Sequence, residues 1–477
     1  MTGQTSELGD LAAQVWALAG GTPEVAERFT PCGPRTVLPS VFDVTGLATA
    51  SVAAASLAAA EFHAIRNSEP VAAVSVDSRA ACAAFAAEAL FTPVGWALPE
   101  LWDPIAGNYR ARDGWVRLHT NYASHRAAVT RLLKADDRAS VQAAVTQWEA
   151  ADLEAAVVAS GGCAAAMHDR RSWQASAPGH AMAGAAALAS AHRPLPASAD
   201  RPLRASGTKG PARSESPAGQ PYAGVRVLDL TRVIAGPVCT KFLAAYGADV
   251  LRLDPPGFAE VPALLPETTA GKRTATVDLT AQAGRMAFER LVAGADVLVT
   301  GLRSDALGKL GYDEATLTAL NPALITASLN AYGWRGPWRD RRGFDSLVQM
   351  SCGIASAGGV AAGSDQPVPL PVQALDHATG YLLAAAVGRA LAARLTRSVT
   401  TRVRGSLIGT ANLLWSLPRP ADLGELPPMP RPGEFSLVDT RTAWGQARRV
   451  PLPGEIAGVG HALQVEAGPL GRHEPVW

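Results

Sequence analysis

GVRVLDLTRVIAGPVCTKFLAAYGADVLRLDPPG, residues 224–257, reads as strand, turn, helix and strand. VRVLDL (225–230) is an apolar run of the length of one buried strand. In AGPVCTKFLAAYG, Pro237 stands near a helix start and Gly247 closes it, the asymmetry expected of helix termini. ADVLRLD (248–254) supplies the second strand, which makes the stretch a βαβ unit and its strands parallel.

The pattern continues downstream. RTATVDL (273–279), GADVLVTGL (294–302) and ALITASLNAYG (323–333) are further β runs, separated by the helical AGRMAFERLVA (283–293) and DEATLTALN (313–321). The alternation predicts an α/β fold with a Rossmann-like parallel sheet covered by helices on both faces. Upstream the character changes. WDPIAGNYRARDGWVRLHTN (102–121) reads as two β runs around a turn at Arg112-Asp113-Gly114, and helical segments follow it. This predicts a smaller α+β domain over about 100–172, inside an N-terminal unit spanning 1–175. Residues 176–220 are rich in Pro, Ala, Gly and Ser without apolar periodicity and read as a linker to a C-terminal unit, 221–477.

Composition sets the class. A chain of 477 residues predicts two or three domains, and 48% hydrophobic with 18% charged residues describes a globular protein. A formal net charge of +1 gives no global field for nucleic acid. The five cysteines are scattered and never spaced C-x-x-C, against a disulfide framework or a metal site. MTGQTSELGDL lacks a basic stretch followed by an apolar run, so no signal peptide is read. The Ala-rich segments 47–60 and 382–394 are short and end in charges, which predicts buried helices rather than membrane spans. The expectation is a cytoplasmic protein with neither nucleic-acid nor membrane partners.

Candidate chemistry centres on LPVQALDHATG (370–380), where a proline-containing loop turns into an Ala-rich helix at Asp376. An aspartate there is ordinarily a helix cap. Its apolar approach makes it equally a carboxylate held ready to attack an activated carbonyl. LPSVFDVTG (38–46) is a thinner version, with Asp43 in the matching role and the Asp-to-Thr spacing one residue shorter. His377 is open between a general base and a bystander. Arg232, Arg252, Lys272, Arg273, Lys309 and Arg342 fall in or near loops and strand ends of the βαβ region. Clustered, they suit a phosphorylated ligand; scattered, they are solvated surface. The glycine-rich SCGIASAGGVAAGSD (351–365) fits no phosphate-loop pattern, and neither a nucleophile elbow nor H-E-x-x-H occurs.

These residues together resemble the class III CoA-transferases, the CaiB/BaiF family, which also contains α-methylacyl-CoA racemases. The opening βαβ stretch, the run GKRTATVDL…SCGIA (271–355) and LPVQALDHATG follow in that family's order over about 224–416. The resemblance implies Asp376 as nucleophile, passing through an aspartyl mixed anhydride and an aspartyl-CoA thioester. It implies acyl-CoA and a carboxylic acid acceptor as substrates, with no permanently bound cofactor. It places Arg232, Ala235, Lys309 and Arg342 at CoA-contact positions, with Ile234 and Leu302 at contact positions where this chain departs from the pattern; Arg252, Lys272 and Arg273 join the candidate CoA contacts from their place near the strand ends. Departures are Gly301-Leu302 where Asn-Phe is usual, Ile234 where a small or amide residue is common, and Gly343-Phe344-Asp345 where racemases carry G-H-D. The family's small domain has no room after GSLIGTANLLWSL (405–417), yet a similar one stands upstream at 100–172. The chain therefore resembles two incomplete copies in tandem, either a homodimer or an intrachain pseudo-dimer, with Asp43 a structural cap. The alternatives are a non-catalytic acyl-CoA-binding homologue, or an intramolecular CoA isomerase or racemase.

Overall fold

The computed structural model describes residues 2–196, 219–419 and 429–477. The expected parallel sheet is present. Its strand order is Arg273–Thr276, Asp249–Asp254, Arg226–Leu230, Val297–Thr300, Ile325–Asn330, Val399–Ser406 and Leu188–Pro194. The first six run parallel and the last antiparallel. From the central strand Arg226–Leu230 the chain winds outward through Asp249–Asp254 and Arg273–Thr276. It then returns to Val297–Thr300 on the other side. That reversal opens a crevice at the carboxyl ends of Arg226–Leu230 and Val297–Thr300.

The expected linker is corrected on its N-terminal side. Residues 177–194 carry the helix Ala177–Ala181 and the edge strand Leu188–Pro194. Only Leu188 of that strand is buried, so backbone pairing holds it and no apolar alternation marked it in the sequence. The remainder of the expected linker, 197–218, lies outside the described residues.

The N-terminal unit is woven into the C-terminal one. Val74–Asp77 pairs on one side with Phe29–Cys32 and on the other with Glu455–Ile456, while Thr92–Pro93 pairs with Gly445–Arg449. The small antiparallel sheet Gly107–Arg110, Trp115–Leu118 and Ala164–Ala166 turns where expected, with the Ala111 N–H bonded to the Gly114 carbonyl at 2.9 Å. Through Ala165 it packs on Leu347 and Met350. A single apolar core runs from Leu11 to Ile456, so the boundary near 176 is no break in packing.

Two helices of 24 residues, Val44–Asn67 and Ala374–Arg397, cross at the centre of that core. Gly388 permits the crossing: a Cβ there would stand 2.9 Å from the Ala58 Cβ and 2.7 Å from the Tyr222 hydroxyl. Val44–Asn67 is long and apolar enough to cross a membrane, but its most apolar window is wholly buried inside the fold. The expectation of buried helices holds for both Ala-rich segments.

The two long helices have the same ends. Before each, the first helical N–H bonds the carbonyl two residues back at 2.8 Å, Val44 to Phe42 and Ala374 to Val372. The intervening residues, Asp43 at φ −76°, ψ 66° and Gln373 at φ −75°, ψ 62°, adopt the inverse γ-turn conformation. Both helices end on a left-handed serine, Ser68 and Ser398. Matching the ends pairs Asp43 with Gln373 and Gly46, third in its helix, with Asp376. The expected equivalence of Asp43 and Asp376 is thereby corrected by three residues. The sequence echo followed Thr-Gly, whereas the backbone follows the turn.

Candidate active site

Asp376 sits one turn into Ala374–Arg397, beside the start of the crevice helix Ala235–Ala245. The two approach closely because residue 380 is glycine: a Cβ there would stand 2.5 Å from the Ala235 carbonyl oxygen. The cap that the first turn needs comes from another helix. Asp345, at the start of Asp345–Ser351, accepts the Asp376 N–H at 3.0 Å through one carboxylate oxygen and Gln349 Nε2 at 2.5 Å through the other. The Asp376 side chain is thus released from capping, and no donor bonds its carboxylate among the described residues. In the other long helix Asp43 does cap, accepting the Gly46 N–H at 2.8 Å while both guanidinium N–H groups of Arg35 close on it.

Burial raises the Asp376 pKa well above 3.8, and the Asp345 and Glu88 carboxylates raise it further. Burial likewise raises Asp345, to about 6, against the bonds from Gln349 and the first-turn N–H groups. Asp376 is therefore a basic carboxylate, short of hydrogen bonds and close to a second acid.

Two cavities meet at Asp376. The first is a cleft of about 1310 Å³ including its open mouth, lined by Arg232, Arg303, Arg342 and Arg341, the last paired with Glu154. The second is a chamber of about 840 Å³ including its mouth, walled largely by apolar side chains. Tyr122, Val233 and Phe344 line both and form the waist between them. Val233 holds φ +64°, a strained conformation for a β-branched residue, and its N–H bonds the buried Glu260 at 3.2 Å. Tyr122 bonds the other Glu260 oxygen at 2.7 Å, tying the small N-terminal sheet region to the crevice loop.

The expected contact residues divide. Arg232, Ala235, Leu302 and Arg342 line the cleft with Asp376, and Ile234 lines the chamber. Arg232 lies over the Phe258 ring at 3.7 Å, which holds its guanidinium at the mouth. Arg252 and Lys272 are corrected. Both are buried, Arg252 against Asp254 and Glu260 and Lys272 against Asp229, and they brace the strand ends rather than face a ligand. Burial lowers the Lys272 pKa to about 8. Arg273 is corrected too: it turns to Asp249 and the Val476 carbonyl at the sheet's outer edge. Lys309 pairs with Asp305 outside the cleft wall, which Arg303 reaches in its place. His377 lines neither cavity; it is stacked on Phe85 and bonded at 3.0 Å to Glu88, which lines the chamber.

The sequence reading missed Asp345, Val233, Tyr122 and Glu88 as parts of this site. Only Asp345 carried a local signal, the G-F-D triplet. The others arrive from distant segments through the fold. Among the described residues no group of three or more His, Cys, Asp or Glu is placed to hold a metal ion.

The sequence model described as CoA-transferase family III matches residues 222–424, the segment that holds the crevice and Asp376. This segment is similar in sequence to CoA-transferase family III. A probable fatty acyl-CoA transferase from Mycobacterium tuberculosis is 33% identical over 40% of this chain and 52% of its own length. A succinate–glutarate CoA-transferase from Agrobacterium fabrum is 35% identical over 36% of this chain and 47% of its own. The chain spans about half the length of these curated relatives. An orthorhombic crystal structure of the mycobacterial protein superposes with a TM-score of 0.39 at 34% identity, covering 41% of this chain and 56% of that one. The matched segment ends before the C-terminal strands and excludes the N-terminal residues that wall the chamber.

Proposed function

We propose that the chain is a CoA-transferase with Asp376 as its nucleophile, moving CoA from an acyl-CoA thioester to a carboxylic acid. The observation that carries this reading is the position of one uncapped, buried carboxylate between an arginine-lined cleft and an apolar chamber. The cleft suits the phosphates of CoA, with Arg232, Arg303 and Arg342 as bidentate partners. The chamber then receives the acyl group.

The sequence of bonds needs only a carboxylate. An Asp376 oxygen attacks the thioester carbonyl, the C–S bond breaks, and CoA leaves as thiolate from a mixed anhydride. The thiolate attacks the aspartyl carbonyl of the anhydride, forming aspartyl-CoA thioester and releasing the first acid as carboxylate. The acceptor carboxylate repeats the attack on the aspartyl thioester, giving a second anhydride and free thiolate. Attack of that thiolate on the acceptor carbonyl returns Asp376. Charge is conserved at each step, and no proton is gained or lost overall. Asp376 stands in the first turn of Ala374–Arg397, and Ala235, the first residue of Ala235–Ala245, lines the same cleft; helix N-termini of this kind favour the oxyanions that form there.

Each chain would hold one such site, because Gly46 replaces the nucleophile at the matching position of the other long helix. The two crossed helices support an intrachain pseudo-dimer. Asp376→Asn tests the assignment. We expect CoA transfer to fall at least about a thousandfold with unchanged thermal unfolding, whereas Asp43→Ala keeps transfer per folded molecule. Full activity in Asp376→Asn overturns the reading.

A further inference from the structure

We infer that the chamber behind Asp376 selects an uncharged, apolar acyl group, aromatic or medium-chain aliphatic, and rejects acyl groups that carry a second carboxylate. This rests on the transferase reading and goes beyond it by naming the substrate class.

The two cavities that meet at Asp376 differ in charge. Four arginines line the cleft, whereas no lysine or arginine lines the chamber among the described residues. Its charged or ionisable wall groups besides Asp376 are the carboxyls of Asp345 and Glu88, the latter bonded to His377, the Tyr122 hydroxyl and the imidazole of His119. His119 is buried and stacked face to face on Phe344 at 3.7 Å, with no partner for Nδ1. Burial drives its pKa well below 6.5, so it offers a neutral hydrogen-bonding atom and no positive charge.

The cations near the chamber do not line it. Arg117 lies over the Trp102 ring at 5.1 Å, bonded to Asn108 at 3.0 Å, and its charge bears on Asp345. Lys241, in the adjoining apolar pocket, is paired with Glu267. A second carboxylate on the acyl group would thus lose its water, face Glu88 and Asp345, and find no counter-ion. An apolar group meets Leu101, Trp102, Val261, Leu264 and Phe344, whose aromatic members suit a ring as well as an alkyl chain. The donor's acyl group and the acceptor acid pass through the same anhydride position, so the rule applies to both.

Self-exchange reads this directly. Each acyl-CoA is incubated with the full-length protein and its own ¹³C-labelled acid, and label entering the thioester is followed by mass spectrometry. Hexanoyl-CoA with hexanoate and phenylacetyl-CoA with phenylacetate are compared with the succinyl and oxalyl pairs. We expect exchange for the first two with kcat/KM on the order of 100-fold above the dicarboxylic pairs. Ala89→Trp, at an exposed part of the wall, should lower phenylacetyl exchange relative to acetyl exchange. Leu101→Arg, which adds a cation to the wall, should narrow the gap for succinyl. Succinyl or oxalyl exchange as fast as hexanoyl overturns the specificity while leaving the transferase reading intact. No exchange with any pair overturns the transferase reading itself.

Discussion

At the scale of single residues, the site depends on which carboxylate caps the long helix. Asp345 does so from outside, and this leaves the Asp376 carboxylate without a hydrogen-bond donor among the described residues and with a raised pKa. A nucleophilic carboxylate must be ionised, so kcat/KM for acyl-CoA should fall as the pH drops through a value well above 3.8. Asp345→Asn keeps one acceptor for the helix and removes the nearby like charge. The acid limb of the rate–pH profile should then move to lower pH; a limb that moves up or stays would contradict the assigned coupling. Arg232→Ala and Arg342→Ala act on the other cavity. Each should raise KM for CoA thioesters about tenfold with a smaller change in kcat, since each removes phosphate binding common to ground and transition states. The importance of Asp376 was legible in the sequence from the apolar approach and the order of motifs around it. Asp345 stood out only through the G-F-D triplet, and its capping role was not legible, because a cap supplied from 31 residues upstream leaves no local spacing to read.

At the scale of elements, the matched ends of the two long helices separate repetition from function. The sequence carries a similar loop-to-helix pattern twice and aligns its aspartates, because Asp, Thr and Gly recur in both stretches. Backbone turn geometry fixes the register instead. Asp43→Ala should therefore cost stability, by about 2 kcal/mol from the lost cap and the pairing with a part-exposed Arg35. Urea denaturation measures this, and transfer activity per folded molecule should be unchanged. Gly388→Val tests the crossing. Its side chain meets Ala58 and Tyr222 at under 3 Å, so a loss of about 3 kcal/mol or more is expected, with reduced expression of folded protein. The βαβ strands and helices were legible because apolar period and terminal residues agreed there. The edge strand Leu188–Pro194 was not, since solvent-facing residues on a paired edge carry no alternation.

At the scale of the molecule, the N-terminal and C-terminal units are one folding unit. The edge strand of the large sheet, the helix Val44–Asn67 and the partners of the C-terminal strands all come from before residue 197. Residues 219–477 expressed alone would expose the buried face of Ala374–Arg397 and lose half of the chamber wall. We expect that fragment to aggregate on size-exclusion chromatography, and recovery of a monodisperse, active fragment would refute the shared core. Covalent chemistry at one aspartate is the central claim, and its product is directly visible. After incubation with acyl-CoA, hydroxylamine converts an aspartyl thioester or anhydride to a hydroxamate, and peptide mass spectrometry locates it. The account predicts a single modified residue per chain, Asp376, with Asp43 and Asp345 untouched. Modification at either of those instead, or none under conditions of turnover, would contradict it.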